Sequence, residues 1–381
     1  MYIINALVYT DRQEFAPLTV QTRGEQIIAL LPPDAALESG EEIVDASGCY
    51  CIPGLTDIHF HGCNGYDFCD GTAKAYQAMA DFELEHGVTS MCPATMTLPA
   101  DTLTHICKEA ADFARRQTSG ADLIGIHMEG PFINPVKKGA QNAAYIQKPD
   151  ASLIRRWLND SGHLVRLITL APEIDGAIDC IRECREEIAF SIGHTNANYD
   201  TAMSALHAGA DHITHLYNAM PPFHHRESGV IGAAYDTPDC YKELICDGIH
   251  VSAPVVRATF ALCPDHVILI SDSMRATGMP DGSYTLGGQD VTVHGKLALL
   301  SDGTIAGSAT PLLECMKTAI SMGISLEQAI AAATILPCRS IGIDDRYGSI
   351  TPGKKAHFNL LDIHSLSLKK VIKDSKISLL S

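Results

Sequence analysis

Positive charge is what this chain of 381 residues lacks most: 28 Lys and Arg stand against 45 Asp and Glu, a net −17 with its 17 histidines counted neutral. A sequence-independent nucleic-acid binder, or a protein held on anionic lipid, needs a basic surface, so both classes are excluded. A small anionic substrate is not excluded, because it feels only the local field of its pocket. The 13 cysteines include no C-x-x-C pair; Cys49-x-Cys51 and Cys180-x-x-x-Cys184 have the wrong spacing for a zinc knuckle. Reduced, mostly buried thiols in a cytoplasmic protein are expected. The opening stretch MYIINALVYTDRQEF has no basic start followed by an apolar run, so no signal peptide is expected. No apolar run reaches the ~18 residues a membrane span requires. Low-complexity tracts and internal repeats are also missing.

What is present is a 46% hydrophobic chain, enough for a sizeable core. Its length suits one large domain plus a small one. Residues 1–51 read as short strands (Tyr2–Ile4, Leu18–Val20, Gln26–Leu30, Glu42–Val44) punctuated by Pro32-Pro33 and Ser39-Gly40. Residues 346–381 repeat that style, with Pro352-Gly353 as a turn and Phe358–Leu361 as a strand. Between them, residues 52–345 alternate strand and helix. The expected strands are Ile52–Ile58, Val88–Ala94, Leu123–His127, Leu164–Leu170, Ile188–Ile192, His212–His215, Glu243–Cys246 and Val267–Ser271. Helical patterns such as Ala73–Glu85, Leu98–Arg116 and Tyr199–Ala208 fill the gaps. Eight such units predict an α/β fold, a (β/α)8 TIM barrel, over a doubly wound sheet.

A barrel places its chemistry where strands end. His59, His61, Glu129, His194, His215, Asp247 and Asp272 each follow an apolar run by no more than a few residues. His59-x-His61 on a strand points both imidazoles to one side, where they can share a metal. Glu129, in His127-Met128-Glu129-Gly130-Pro131-Phe132, cannot easily lie on a helix face. Glu129 with His194 and His215 makes a sufficient open site for a divalent ion, with a position left for water. Asp272, at the end of Val267-Ile268-Leu269-Ile270-Ser271, is costly there unless paired or beside a metal, where it would be a natural general base. Asp57 reads equally as an orienting partner for a histidine or as a strand-end cap. Taken singly, each residue has a plainer reading: loop histidines, a salt-bridged Glu, core histidines bonded to carbonyls, a buried ion pair. Their joint placement on one rim argues for a metal centre.

These motifs, Pro53-Gly54-x-x-Asp57-x-His59-x-His61-Gly62, His127-x-Glu129-Gly130-Pro131-Phe132, Gly193-His194-Thr195, Thr214-His215-Leu216-Tyr217-Asn218-Ala219-Met220, Asp247-Gly248-x-His250 and Ser271-Asp272, resemble those of the N-acetylglucosamine-6-phosphate deacetylase family, within the metal-dependent amidohydrolases. H-x-H alone is common to many amidohydrolases; His-Leu-Tyr-Asn-Ala-Met is specific to this family. The match runs in order from Pro53 to Ala309. The resemblance implies that Glu129, His194 and His215 hold a metal and that Asp272 is catalytic. It implies substrate contacts from Asn218, Ala219, Arg226, Asp247, His250 and the loop around Ile305-Ala306-Gly307. It also implies a homodimer, with the Arg and His that reach the phosphate coming from the neighbouring subunit, and a small β-sandwich built from both chain ends.

Two departures stand out. Lys138-Gly139-Ala140 is usually followed by His in the family, but Gln141 follows here; glutamine can bond a sugar hydroxyl but cannot act as an acid. His59 and His61 are both present where some members lack them, which makes room for a second metal bridged by Glu129. One or two divalent ions are expected per chain, zinc first, with iron, manganese or cobalt also suited to mixed N/O donors. The implied reaction is hydrolysis of the acetamido group of a hexosamine phosphate, with the galactosamine epimer as the alternative substrate. Cyclic-amide hydrolysis of the dihydroorotase kind is disfavoured, because Glu129 stands where a bridging lysine would be needed. A sugar-phosphate binding protein without catalysis is disfavoured by Asp272.

Overall fold

The computed structural model describes residues 1–378. Eight parallel strands form its centre: Leu55–Asp57, Val88–Met91, Ile126–Glu129, Val165–Leu170, Ala189–Ile192, His212–Ile213, Tyr241–Ile245 and Val267–Ile270. A short strand, Ala94–Thr95, and the last six of these make one seven-stranded sheet in chain order. Leu55–Asp57 pairs with Val88–Met91. The last strand meets the segment after the first through Asp272 N–H to His59 O (2.9 Å) and His61 N–H to Ser273 O (2.7 Å). The sheet thus curls into a TIM-like barrel. A helix follows each strand: Ala73–Glu85, Ala100–Arg116, Ala151–Asp160, Ala177–Cys184, Tyr199–Ala208, Gly229–Asp236, Ala253–Leu262 and Leu312–Ser321.

Local composition explains these elements. Val267–Ile270 is wholly buried, as a strand covered on both faces requires. Ala100–Arg116 turns Leu103, Ile106, Cys107, Ala110 and Phe113 inward at helical spacing and ends on Arg115 and Arg116, which complement its dipole. Three expected strands are divided, Leu123–His127 among them, split between Asp122–Leu123 and Ile126–Glu129. Cys49–Pro53 joins a sheet formed by the chain ends, antiparallel to His357–Asp362, and only Leu55–Asp57 enters the barrel. A Cβ on the intervening Gly54 would run into the side chain of Thr89, so only glycine fits that crossing. Val88–Ala94 breaks at Pro93, which has no N–H for the ladder.

The sheet from the chain ends has eight strands, running from Lys376–Ser378 through His357–Asp362, Cys49–Pro53 and Tyr2–Tyr9 to Gln26–Leu31. It encloses its own apolar core of Ile3, Val8, Val20, Ile27, Phe358 and Ile372. Residues 379–381 of the expected C-terminal part lie outside the described residues. Helices Ala151–Asp160 and Gly229–Asp236 were not among the expected elements. Neither was a four-stranded antiparallel sheet, Gly282–Leu286, Gln289–His294, Leu297–Leu300 and Ile305–Ser308. The segment expected as a loop around Ile305 is therefore its last strand. All 13 cysteines are free. Among the described residues, no helix is long and apolar enough to cross a membrane.

Candidate metal centre and active site

The rim of the barrel is built from strained backbone. His194, His215 and Asp272 have φ of 47°, 29° and 48°. For residues with a Cβ, such left-handed conformations cost about 1–3 kcal/mol each and persist only where the surroundings impose them. Here each turns a side chain inward directly after its strand.

Glu129 is the hub. Its Oε1 lies 3.1 Å from His194 Nε2, 3.1 Å from His215 Nε2 and 3.2 Å from His59 Nε2; its Oε2 lies 3.3 Å from His61 Nε2. Two groups able to hold a metal, His59/His61/Glu129 and Glu129/His194/His215, therefore share one carboxylate. The donor set fits a divalent cation. Nδ1 of His59 donates to Glu243 Oε2 (2.8 Å), that of His61 to Ala94 O (3.3 Å) and that of His194 to Lys137 O (2.8 Å). Each Nε2 is then left with its lone pair facing Glu129. His59 Nε2 is buried and has no hydrogen-bond partner, as expected of an atom reserved for a ligand bond.

The electrostatics agree. Burial pushes the Glu129 carboxyl up, but His194 and His59 outweigh it and hold it well below the usual range. Burial opposes charge on His61, yet its bonds to Asp272 and Glu129 raise it to about 10. A field that so favours positive charge between these groups suits a cation in place of protons. A third cluster, His59, His127 and Glu243, also has its ligand atoms close together. There both nitrogens of His127 are committed, Nδ1 to Ile58 O (3.1 Å) and Nε2 to Thr169 Oγ1 (2.7 Å). Burial and His59 lower His127 to about 3, so it stays neutral.

Asp272 Oδ1 stands 3.4 Å from His61 Nε2 and 3.8 Å from His59 Nε2. It faces a cleft of about 290 Å³ lined also by Ala140, Gln141, Asn218, Ala219, His250, Ile305 and Gly307. Asp247 lies behind that wall: its Oδ1 caps the N–H groups of Ile249 and His250, and its Oδ2 takes His250 Nδ1 at 2.7 Å. Ala306 is wholly buried beneath its strand. Gln141 is turned toward the candidate metal ligands: it donates to Glu129 Oε2 while its Oε1 accepts from Thr97 N–H at 2.6 Å. Asp57 accepts from the backbone N–H of His59 (3.1 Å), so the strand-end role prevails over contact with an imidazole ring. Arg226 is not brought to the cleft of its own chain. It is exposed beside His225, in a separate groove with Asn198, Pro222 and His224.

Glu243 and Thr97 belong to this site without having been expected in it. The signal for Glu243 was available: a carboxylate at the start of Glu243-Leu244-Ile245-Cys246, an otherwise apolar run. Nothing in the sequence marks Thr97, whose contribution is a backbone N–H.

A family model described as "Amidohydrolase family" matches residues 50–378. The chain belongs to the amidohydrolase family. Among curated relatives of this amidohydrolase, N-acetylglucosamine-6-phosphate deacetylase of Bacillus subtilis (strain 168) is 40% identical over 331 residues, 83% of this chain and 81% of the relative. N-acetylgalactosamine-6-phosphate deacetylase of Escherichia coli O157:H7 is 33% identical over 312 residues, 81% of this chain and 83% of the relative. The crystal structure of N-acetylglucosamine-6-phosphate deacetylase from Pasteurella multocida superposes with a TM-score of 0.93 at 29% identity, covering 99% of both chains. A point mutant of the Mycobacterium smegmatis enzyme, in complex with N-acetyl-D-glucosamine-6-phosphate, gives 0.92 at 28% identity, covering 99% of this chain and 98% of that one. The resemblance read from the motifs holds.

Proposed function

We propose that this amidohydrolase removes the acetyl group of N-acetyl-D-glucosamine 6-phosphate, giving D-glucosamine 6-phosphate and acetate. The observation that carries this reading is the carboxylate of Asp272, beside a Glu129-centred histidine cluster in a cleft of about 290 Å³. Glu129, His194 and His215 would hold one divalent ion, and His59, His61 and Glu129 a second; zinc is the first choice, with iron, manganese or cobalt as alternatives. A cation there supplies Lewis acidity, activating water and polarising the acetyl carbonyl. Asp272 takes the proton of the attacking water and returns it to the departing amine. Asn218, Ala219, His250 and the Ile305–Gly307 strand hold the sugar, while Asp247 keeps the His250 ring in register.

Arg226 has a fork suited to phosphate and stands away from its own cleft, which supports a homodimer in which it serves the neighbouring one. The chain reads as a closed (β/α)8 barrel, residues 52–345, with a small β-sandwich from 1–51 and 346–381. In support, the eight-stranded sheet draws on both ends and has its own core. A cytoplasmic place in amino-sugar breakdown accords with free thiols and a sugar-phosphate substrate.

Acetate release from the two epimeric sugar phosphates, with and without a chelator, tests the reading. The gluco epimer is expected to be hydrolysed faster and the chelator to stop both. Faster turnover of the galacto epimer would favour the substrate of the E. coli relative, and release that survives full metal removal would reject the mechanism.

A further inference from the structure

Glu243 is a carboxylate on a barrel strand, fully buried beside Leu244 and Ile245. Burying a charge there is costly unless the group is bonded for a purpose. Its Oε2 accepts from His59 Nδ1 at 2.8 Å and from the backbone N–H of His215 at 3.2 Å. One oxygen thus touches a residue from each of the two groups that share Glu129. The other oxygen, Oε1, has no hydrogen-bond partner and lies 3.9 Å from His127 Nδ1.

Among the histidines facing Glu129, His61 and His194 have their Nδ1 protons fixed by backbone carbonyls, while His59 is fixed by Glu243. An ionised carboxylate only accepts, so it admits one tautomer of His59, with the proton on Nδ1 and the Nε2 lone pair toward Glu129. A charged partner also makes the imidazole a stronger donor to a metal than a neutral carbonyl does. The ring has little freedom to find another partner: it is wholly buried and packs edge-on against His127, with centroids 4.4 Å apart.

We infer that Glu243 is a positioning residue that makes His59 a metal ligand and so sets the affinity of the His59/His61/Glu129 position. The inference rests on the reading of two metal positions given above. Glutamine in place of Glu243 keeps the shape but can donate as well as accept. It therefore also admits the tautomer in which Nε2 carries the proton and cannot bind a metal.

The test is titration of the metal-stripped full-length chain with Co²⁺, followed by cobalt absorption and by bound-metal stoichiometry, with thermal unfolding as the check on folding. Wild type is expected to take two ions. Glu243→Gln is expected to keep the Glu129/His194/His215 ion at wild-type affinity and to lose about 10- to 100-fold at the other position. Glu243→Ala should lose the His59/His61/Glu129 position more completely. If wild type takes two ions and Glu243→Gln binds both as tightly, the inference is wrong and the two-position reading stands. Equal weakening of both positions in a folded variant also overturns it, since that is general structural damage. A wild-type chain that takes one ion overturns the two-position reading, and this inference with it.

Discussion

At the scale of single residues, the site depends on backbone that is held out of its preferred conformation. Asp272 donates its N–H to His59 O and accepts Ser308 N–H at 2.8 Å, so its left-handed backbone is clamped from both sides. Burial pushes its carboxyl up, yet His61, His59 and His215 outweigh this and hold it below its ordinary value. The proposed proton acceptor is therefore aimed by the fold, and its neighbours favour its ionised form. Asp272→Asn removes the basic oxygen and preserves the shape. Turnover should fall by about 10²- to 10⁴-fold, the usual worth of a placed acid–base group, with metal content unchanged. Near-normal turnover would remove Asp272 from that role; lost metal would make it a ligand instead. Gln141 shows how one residue's neighbours redirect it. Thr97 N–H holds its amide oxygen, which leaves the NH₂ for Glu129. The residue expected to bond a sugar hydroxyl thus braces the Glu129 carboxylate.

Between elements, the sheet built from the chain ends is fastened to the barrel by charge. Lys373 Nζ lies 2.7 Å from Asp122 Oδ1, Tyr347 donates to the same carboxylate at 3.0 Å, and Asp374 reaches His357 at 3.2 Å and Lys373 at 3.4 Å. Burial raises the Asp374 carboxyl, but His357, Lys373 and Lys355 outweigh it and bring it down to about 2. A carboxylate with a depressed folded-state pKa stabilises the fold above its ordinary value near 3.8, and that contribution is lost as pH falls through about 2. Asp374→Asn should therefore cost about 1–2 kcal/mol at neutral pH, allowing for partial solvent screening, with the difference closing between about pH 4 and pH 2. Asparagine tolerates the left-handed backbone at this position, so the loss would report charge and not strain. Chemical-unfolding midpoints of both chains across that range check it; a pH-independent difference would mean the network contributes no charge stabilisation.

The same scale shows which elements could be read in advance. Val267–Ile270 is legible because a fully buried strand is a continuous apolar run, and Ala100–Arg116 because one face alone is buried. Gly229–Asp236 is buried over six consecutive residues, so it has no helical period to detect. The Gly282–Ser308 sheet was legible in principle: Val291 and Val293 alternate with exposed neighbours, after a Gly287-Gly288 turn with φ of 55° and 79°. Within the site, polar residues at strand ends could be found from the sequence. Glu243 lies within a strand, and its purpose appears only when the first strand brings His59 across the barrel to meet it.

For the whole molecule, the question is where an acidic protein keeps the positive charge that a phosphate needs. Among the described residues the cleft is lined by no Lys or Arg; beyond the candidate metal ligands its polar wall is Gln141, Asn218, His250, Asp272 and Thr304. Arg226 is exposed on a groove of about 940 Å³ outside it, beside His224 and His225. If a two-fold dimer sets that groove against the neighbouring cleft, Asp272 and Arg226 of one working site belong to different chains. Two impaired variants should then repair each other when assayed well below the KM of Arg226→Ala. Mixing Asp272→Asn chains with Arg226→Ala chains produces heterodimers in which the Arg226→Ala chain keeps its own Asp272 and receives Arg226 from its partner. With random pairing, half the dimers are mixed and one of their two sites is intact, so activity should recover to about a quarter of wild type. KM for the phosphorylated sugar should be normal in that fraction and raised in Arg226→Ala homodimers. Activity no greater than the sum of the two parents after subunit exchange would mean that Arg226 does not act across the interface.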